Sequence, residues 1–227
     1  MKLAIFALLA LLLFSCAATN NSPKQVYYDE AGNLITSEEF QQRWRNPNVQ
    51  YTRWDFLVDT ARISTLSHPK YQRLKVTYPS FKKNLEKITG KEIAENTIFL
   101  LEYSYIDDLC TGKTRNNWNK AMVKKRKKFL LQKKEQIKAT HQNVLYLKFF
   151  EERIALKNKP DSPEEYFFSD KENFLKNSLF KDPSFCGSFA LIKPNGQVLI
   201  RNGESTADII ANYLNPEIWY RLFPESE

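Results

Sequence analysis

The chain has 227 residues, 42% of them hydrophobic, with 16 Phe, 11 Tyr and 4 Trp; that is enough for a sizeable core and excludes global disorder. Its formal charge of +8 suits an anionic partner as readily as plain solubility. With six glycines it carries no Gly-rich phosphate loop, and H-E-x-x-H and G-x-S-x-G are also absent, so no motif of nucleotide, zincin or serine-hydrolase chemistry is present.

Lys2 is followed by an almost unbroken apolar run from Leu3 to Phe14, then by Ser15 and Cys16. A basic start, an apolar run and a small residue before the cut describe an export signal. The run of about a dozen residues falls short of the roughly 20 that span a bilayer. The polar segment Thr19-Asn20-Asn21-Ser22-Pro23 continues no helical pattern and reads as a tether. Leu13-Phe14-Ser15-Cys16 resembles the lipobox of bacterial lipoproteins, with Phe14 where that family prefers a small residue. The resemblance implies cleavage before Cys16, acylation of its thiol and new amino group, and a lipid anchor with the membrane as partner. Ala17, in place of the aspartate that favours inner-membrane retention, implies the outer membrane facing the periplasm. A plain secretory signal is the alternative.

Removing residues 1–15 leaves 212 residues and a charge of +7. For an exported chain nucleic acid is not the expected partner of that charge; a protein partner or an acidic envelope surface of lipid or polysaccharide is. With Cys16 assigned to lipid, Cys110 and Cys186 remain. An even pair in an oxidising compartment suggests a disulfide across 76 residues, worth about 4–5 kcal/mol in the chain-entropy model. Two separate thiols are the other reading.

Along the chain, Val26-Tyr27-Tyr28 is a strand candidate, residues 29–33 a turn around Gly32, and Leu34-Ile35 a return strand. Thr36 and Glu39 have capping-box spacing, which predicts a helix over 37–44 stopped by Pro47. Residues 51–66 are aromatic and β-branched without clean periodicity and receive no assignment. Phe81, Leu85 and Ile88 predict a helix that begins at Pro79-Ser80 and ends at Gly90. Residues 97–105 read as a central strand. Trp118, Met122, Phe129 and Ile137, with Val123 and Leu130, form one stripe of a long helix into which Arg126 and Lys133 also fall. Residues 144–150 give a second strand and 174–180 a short helix. Phe189 to Ile192 and Val198 to Arg201 flank Pro194-Asn195-Gly196, a strong hairpin signal. Ser205 is placed to cap a last helix carrying Ile209, Ile210, Tyr213 and Leu214 before Pro216.

Over residues 90–215 this order resembles the thioredoxin-like superfamily. The segment from Ser188 through Lys193-Pro194-Asn195-Gly196-Gln197-Val198 is similar to that family's T-x-x-x-x-D-x-x-G-x-V hairpin, with Lys193 for the aspartate. Gly90-Lys91-Glu92-Ile93 is similar to the lead-in of exported redoxin-type members. The implied fold class is α/β: a thioredoxin-like mixed sheet flanked by helices, with an N-terminal mixed α+β arm. The implied layout is signal 1–15, lipidated tether 16–25, arm 26–89 and thioredoxin-like domain 90–227.

The family places Cys-x-x-Cys after the first strand, at the start of the following helix, where the helix N-terminus stabilises a thiolate. The corresponding segment here is Asp107-Asp108-Leu109-Cys110, whose carboxylates oppose thiolate formation. The family's cis-proline would fall near Gly187 and is missing; Cys186 lies beside the gap. In the implied fold these two loops meet, so the resemblance implies that Cys110 and Cys186 are neighbours. They form either a structural disulfide replacing the catalytic pair or a redox-active one.

His68 and His141 lack metal-ligand spacing, and neither a metal site nor a cofactor site is expected. Asp107-Asp108 forms no ligand loop and reads as solvated or capping. Residues 113–115 and 124–128 make a basic patch, either a solvated helix face or a dock for acidic lipid or glycan. Tyr166-Phe167-Phe168 belongs to the core or covers the sheet. Two functions follow as expectations: an envelope lipoprotein in a non-enzymatic binding or structural role, or a thiol-disulfide oxidoreductase using Cys110 with Cys186.

Overall fold

The computed structural model describes residues 23–224; the expected signal segment and Cys16 lie outside the described residues. Strands β1 (Lys24–Tyr28) and β2 (Leu34–Ile35) pair antiparallel across a turn closed by Asp29. One Asp29 oxygen accepts from the amides of Ala31 (3.0 Å) and Asn33 (2.7 Å), the short-range bond that makes Asp a turn residue. Helix α1 (Ser37–Trp44) starts where the spacing predicted, with Thr36 Oγ1 accepting from Glu39 N at 3.1 Å. Its buried Phe40 packs on the Tyr27 ring.

The unassigned stretch is a hairpin, β3 (Tyr51–Val58) and β4 (Ala61–Pro69), giving a four-stranded sheet in the order β2-β1-β4-β3. Its buried positions include Thr52, Asp55 and Ser64, so the inward face is partly polar and the alternation that marks a strand is erased. Asp55 is held by Arg62 at 2.5 Å and Arg53 at 3.4 Å.

The larger layer follows. Strand β5 (Tyr71–Lys75) leads into helix α2 (Tyr78–Thr89), which ends on Gly90 at φ 65°, a left-handed cap. Then come β6 (Ile98–Ser104), β7 (Asn117–Trp118), helix α3 (Lys120–Thr140), β8 (Val144–Glu151), β9 (Ala155–Leu156), β10 (Phe167–Asp170) and the one-turn helix α4 (Phe174–Ser178). The predicted hairpin is β11 (Ser188–Ile192) and β12 (Gln197–Asn202), followed by α5 (Ala207–Ala211) and α6 (Pro216–Leu222).

Six strands form one sheet in the order β10-β8-β6-β11-β12-β5. Strand β6 is parallel to β8, and β11 is antiparallel to both β6 and β12. The inner four thus run second, first, third, fourth, with the third reversed. That order, flanked by helices, is the thioredoxin-like α/β arrangement expected from the sequence. Strands β6, β8 and β11 carry almost wholly buried runs, including Phe99, Leu100, Leu101, Leu147, Phe149 and Leu191, because helices cover both faces. The sheet also recruits β5 and α2 from residues 71–89, ahead of the expected boundary at residue 90.

Three local expectations are corrected. The buried stripe of α3 is Val123, Leu130 and Ile137, whereas Phe129 is 62% exposed and Trp118 belongs to β7. Arg126 and Lys133 fell in the predicted stripe because they point at carboxylates: Arg126 at Glu102 (3.5 Å) and Lys133 at Asp208 (2.7 Å). The N-cap residue of α5 is Thr206 and not Ser205, with no side-chain capping bond, and Asn215 caps α6 through Glu217 N at 2.9 Å. Of the buried 166–168 cluster, Phe167 and Phe168 form the first half of the edge strand β10.

Candidate functional site

Cys110 and Cys186 are joined as a disulfide, Cα to Cα 4.9 Å, and so meet as the thioredoxin-like resemblance implied. Cys110 is exposed in the loop after β6, and Cys186 is half-buried in the loop before β11. Unlike the first cysteine of the Cys-x-x-Cys pattern, Cys110 does not open the helix after β6: α3 begins ten residues later, at Lys120. Between them the chain makes a turn (Gly112 N to Leu109 O, 2.8 Å) and the short strand β7. Buried Leu109 anchors this loop from below.

The two acidic residues before Cys110 do different work. Asp107, at φ 60°, trades hydrogen bonds with Asn116: its amide donates to Asn116 Oδ1 (2.9 Å) and its carboxylate accepts from Asn116 Nδ2 (2.6 Å). Asp108 Oδ1 accepts from Cys110 N (2.9 Å) and from Cys186 N (3.2 Å), so one oxygen holds both half-cystines. Burial raises the Asp108 carboxyl above its ordinary range, against the lowering effect of these two amides. Of the two expected roles, solvated or capping, Asp108 takes the capping one, as a half-buried clasp.

Cys186 (φ 69°) and Gly187 (φ 83°) both lie in the left-handed region. At Gly187 an added Cβ would stand 2.4 Å from the Tyr103 carbonyl oxygen, so this position needs glycine for space as well as for φ. Among the described residues there is no cis peptide bond. The loop that the family pins with cis-proline is pinned here by Gly187, by the disulfide and by Asp108.

A cavity of about 150 Å³ adjoins the disulfide, with Tyr105, Trp118, Arg115 and Arg126 in its lining. Its charged element is the buried pair Glu102 and Lys148, in register on β6 and β8, with Lys148 Nζ 2.5 Å from Glu102 Oε1. Lys148 also donates to Ser104 Oγ (3.0 Å), and Tyr146 donates to the second Glu102 oxygen. Burial opposes ionisation of Glu102, but Lys148 and Arg126 outweigh it and hold the carboxyl below its ordinary range. Burial pulls Lys148 down from the ordinary lysine range. Glu102 meets three donors, Lys148, Arg126 and Tyr146, which offset the burial of its carboxylate. These residues were missed in the sequence, where each reads as a lone polar residue in an apolar strand. The usable signal was opposite charges inside two runs that both read as central strands.

Other sequence candidates are not brought to this site. His141 ends α3 as its C-cap residue, with its amide on the Ile137 carbonyl. The basic patch divides: Arg126 turns to Glu102 and Lys127 to Glu165 (2.5 Å), while Lys124, Lys125 and Lys128 stay exposed. Among the described residues no group of three or more His, Cys, Asp or Glu is placed to hold a metal ion. No described helix is long and apolar enough to cross a membrane.

No protein-family model matches the chain, and no curated protein matches it. It is similar to the solved structure of MTB DsbF in its mixed oxidized and reduced forms, at 12% identity and a TM-score of 0.30, over 52% of this chain and 78% of that one. The strand order above, not this likeness, carries the fold assignment.

Proposed function

We propose that this chain is an envelope-anchored lipoprotein whose thioredoxin-like domain has a non-enzymatic binding or structural role, with Cys110–Cys186 as a clamp between two loops. The observation that carries this reading is the placement of Cys110. It sits ten residues ahead of α3, so no helix N-terminus faces its sulfur, and its own amide is held by a carboxylate. Reduction would therefore release a thiol that lacks a helix N-terminus to stabilise its thiolate and has the Asp108 carboxylate on its own amide. The lipobox resemblance supports the anchor, and the even cysteine pair left after Cys16 supports a permanent bond.

The exposure of Cys110 and the charged cavity beside it favour a second reading, exchange with a partner's disulfide or thiol. In that reaction the reduced Cys110 thiolate attacks a partner disulfide, forming a mixed disulfide and releasing one partner thiolate. The Cys186 thiolate then attacks the Cys110 sulfur, re-forming Cys110–Cys186 and releasing the second partner thiolate, so the partner is reduced as this pair is oxidised. Cys186→Ser separates the two. A clamp leaves no partner trapped on Cys110, whereas an exchange enzyme accumulates covalent partner adducts that disappear on reduction. Adducts on non-reducing gels of envelope extracts would overturn the proposal.

A further inference from the structure

A cleft of about 510 Å³ opens where the N-terminal sheet meets the six-stranded sheet, within the usual size range of small-ligand sites. Its charge is one-sided. Arg45, Arg53, Lys70 and Arg201 line it, against the single carboxylate of Glu204. Among the described residues Arg45, Lys70 and Arg201 form no salt bridge; Arg201 hydrogen-bonds the Asn202 carbonyl (2.9 Å) and the Tyr71 hydroxyl, with the Glu204 carboxylate in its neighbourhood but not paired with it. Arg53 has Asp55 at 3.4 Å, but the same oxygen is already held by Arg62 at 2.5 Å.

Arg53 is also held flat. Its guanidinium lies 4.1 Å from the Trp44 ring centroid and 4.2 Å from that of Phe185, while its buried Nε has no acceptor among the described residues. A planar cation with a fixed orientation and a spare donor is one half of a charge-assisted pair. Leaving such a donor unmet is costly, and an incoming oxyanion offsets the cost. The walls are set before a ligand arrives: Lys70 N donates to Gln50 O, Asn202 N to Lys70 O and Phe185 N to Arg53 O, each at 2.8 Å. Pre-set walls lower the ordering cost of binding.

We propose that this cleft binds a small ligand carrying an oxyanion group, a carboxylate or a phosphate, through Arg201, Lys70 and the clamped Arg53. The proposal rests on the binding role above for its physiological meaning, but its chemistry is measured independently of the disulfide. Calorimetric titration of the full chain in detergent, with citrate in one arm and inorganic phosphate in the other, distinguishes the two anion sources. Saturable binding in at least one arm is expected, weakening as salt rises from about 20 to about 200 mM. Arg201→Gln should lower the affinity about tenfold or more. Lys70→Gln provides a second variant, since Lys70 lines the same cleft. Absence of saturation by about 10 mM of either anion, or equal affinity in both variants and the parent, overturns the proposal. An empty cleft together with adduct-free Cys186→Ser sinks this inference alone and leaves the proposed function standing.

Discussion

The Asp108 carboxylate accepts a hydrogen bond from the amide of Cys186, 78 residues away in sequence, at 3.2 Å, through the oxygen that also accepts from Cys110 N. The disulfide and this clasp therefore fasten the same two loops twice, once covalently and once through one half-buried side chain. Asp108→Ala leaves two amides without their acceptor and should cost about 1–3 kcal/mol. Asp108→Asn keeps an acceptor oxygen and removes the burden of a partly buried charge, so it should cost less than about 1 kcal/mol. Urea denaturation of the two oxidised variants checks the ranking; equal losses would show that the clasp contributes nothing.

Replacing both Cys110 and Cys186 with serine opens a 76-residue loop in the unfolded chain. A loss approaching about 4–5 kcal/mol is expected from chain entropy, visible as a lower urea midpoint. A midpoint unchanged within error would mean that the bond constrains nothing.

Gly187 and Gly112 offer a matched pair, both at positive φ (83° and 79°). An added Cβ meets the Tyr103 carbonyl at Gly187 and open space at Gly112. Gly112→Ala should cost about 1 kcal/mol and Gly187→Ala clearly more, about 3 kcal/mol or above, because the backbone must move. Thermal unfolding of the two variants measures the difference, and equal melting temperatures would contradict the close approach at Gly187.

The acid limb of stability should carry the Glu102–Lys148 pair. The folded pKa of Glu102 lies below its ordinary value of 4.5. Its contribution is therefore present above pH 4.5 and lost as pH falls through the lower folded value. Asp108 has the opposite sign: its pKa is raised, so its contribution is fullest in acid and declines as pH rises from 3.8. Glu102→Gln strands Lys148 and should cost about 3–5 kcal/mol at neutral pH. The gap between parent and variant should shrink as pH falls below 4.5, and a constant gap would contradict the assignment.

Much of the architecture was legible where the signal is local. The Thr36 cap, the Gly90 stop and the Asn195-Gly196 turn each act within a few residues, and each marks a boundary where the sequence placed it. Strands β3 and β4 were not legible because Thr52, Asp55 and Ser64 fill positions that normally hold apolar residues. Short strands such as β7, β9 and β10 exist through their partners and not through any pattern of their own. At the site, the cysteine pair could be read from parity and topology. The Asp108 clasp and the Glu102–Lys148 pair could not, since both arise when separate segments are brought into register.

The reduction potential of Cys110–Cys186, measured in the full chain against a glutathione or dithiothreitol buffer, bears most directly on the account. A clamp between loops, without a helix N-terminus behind its sulfur, should lie below about −300 mV. A value near −200 mV or higher, in the range of dedicated exchange proteins, would contradict it.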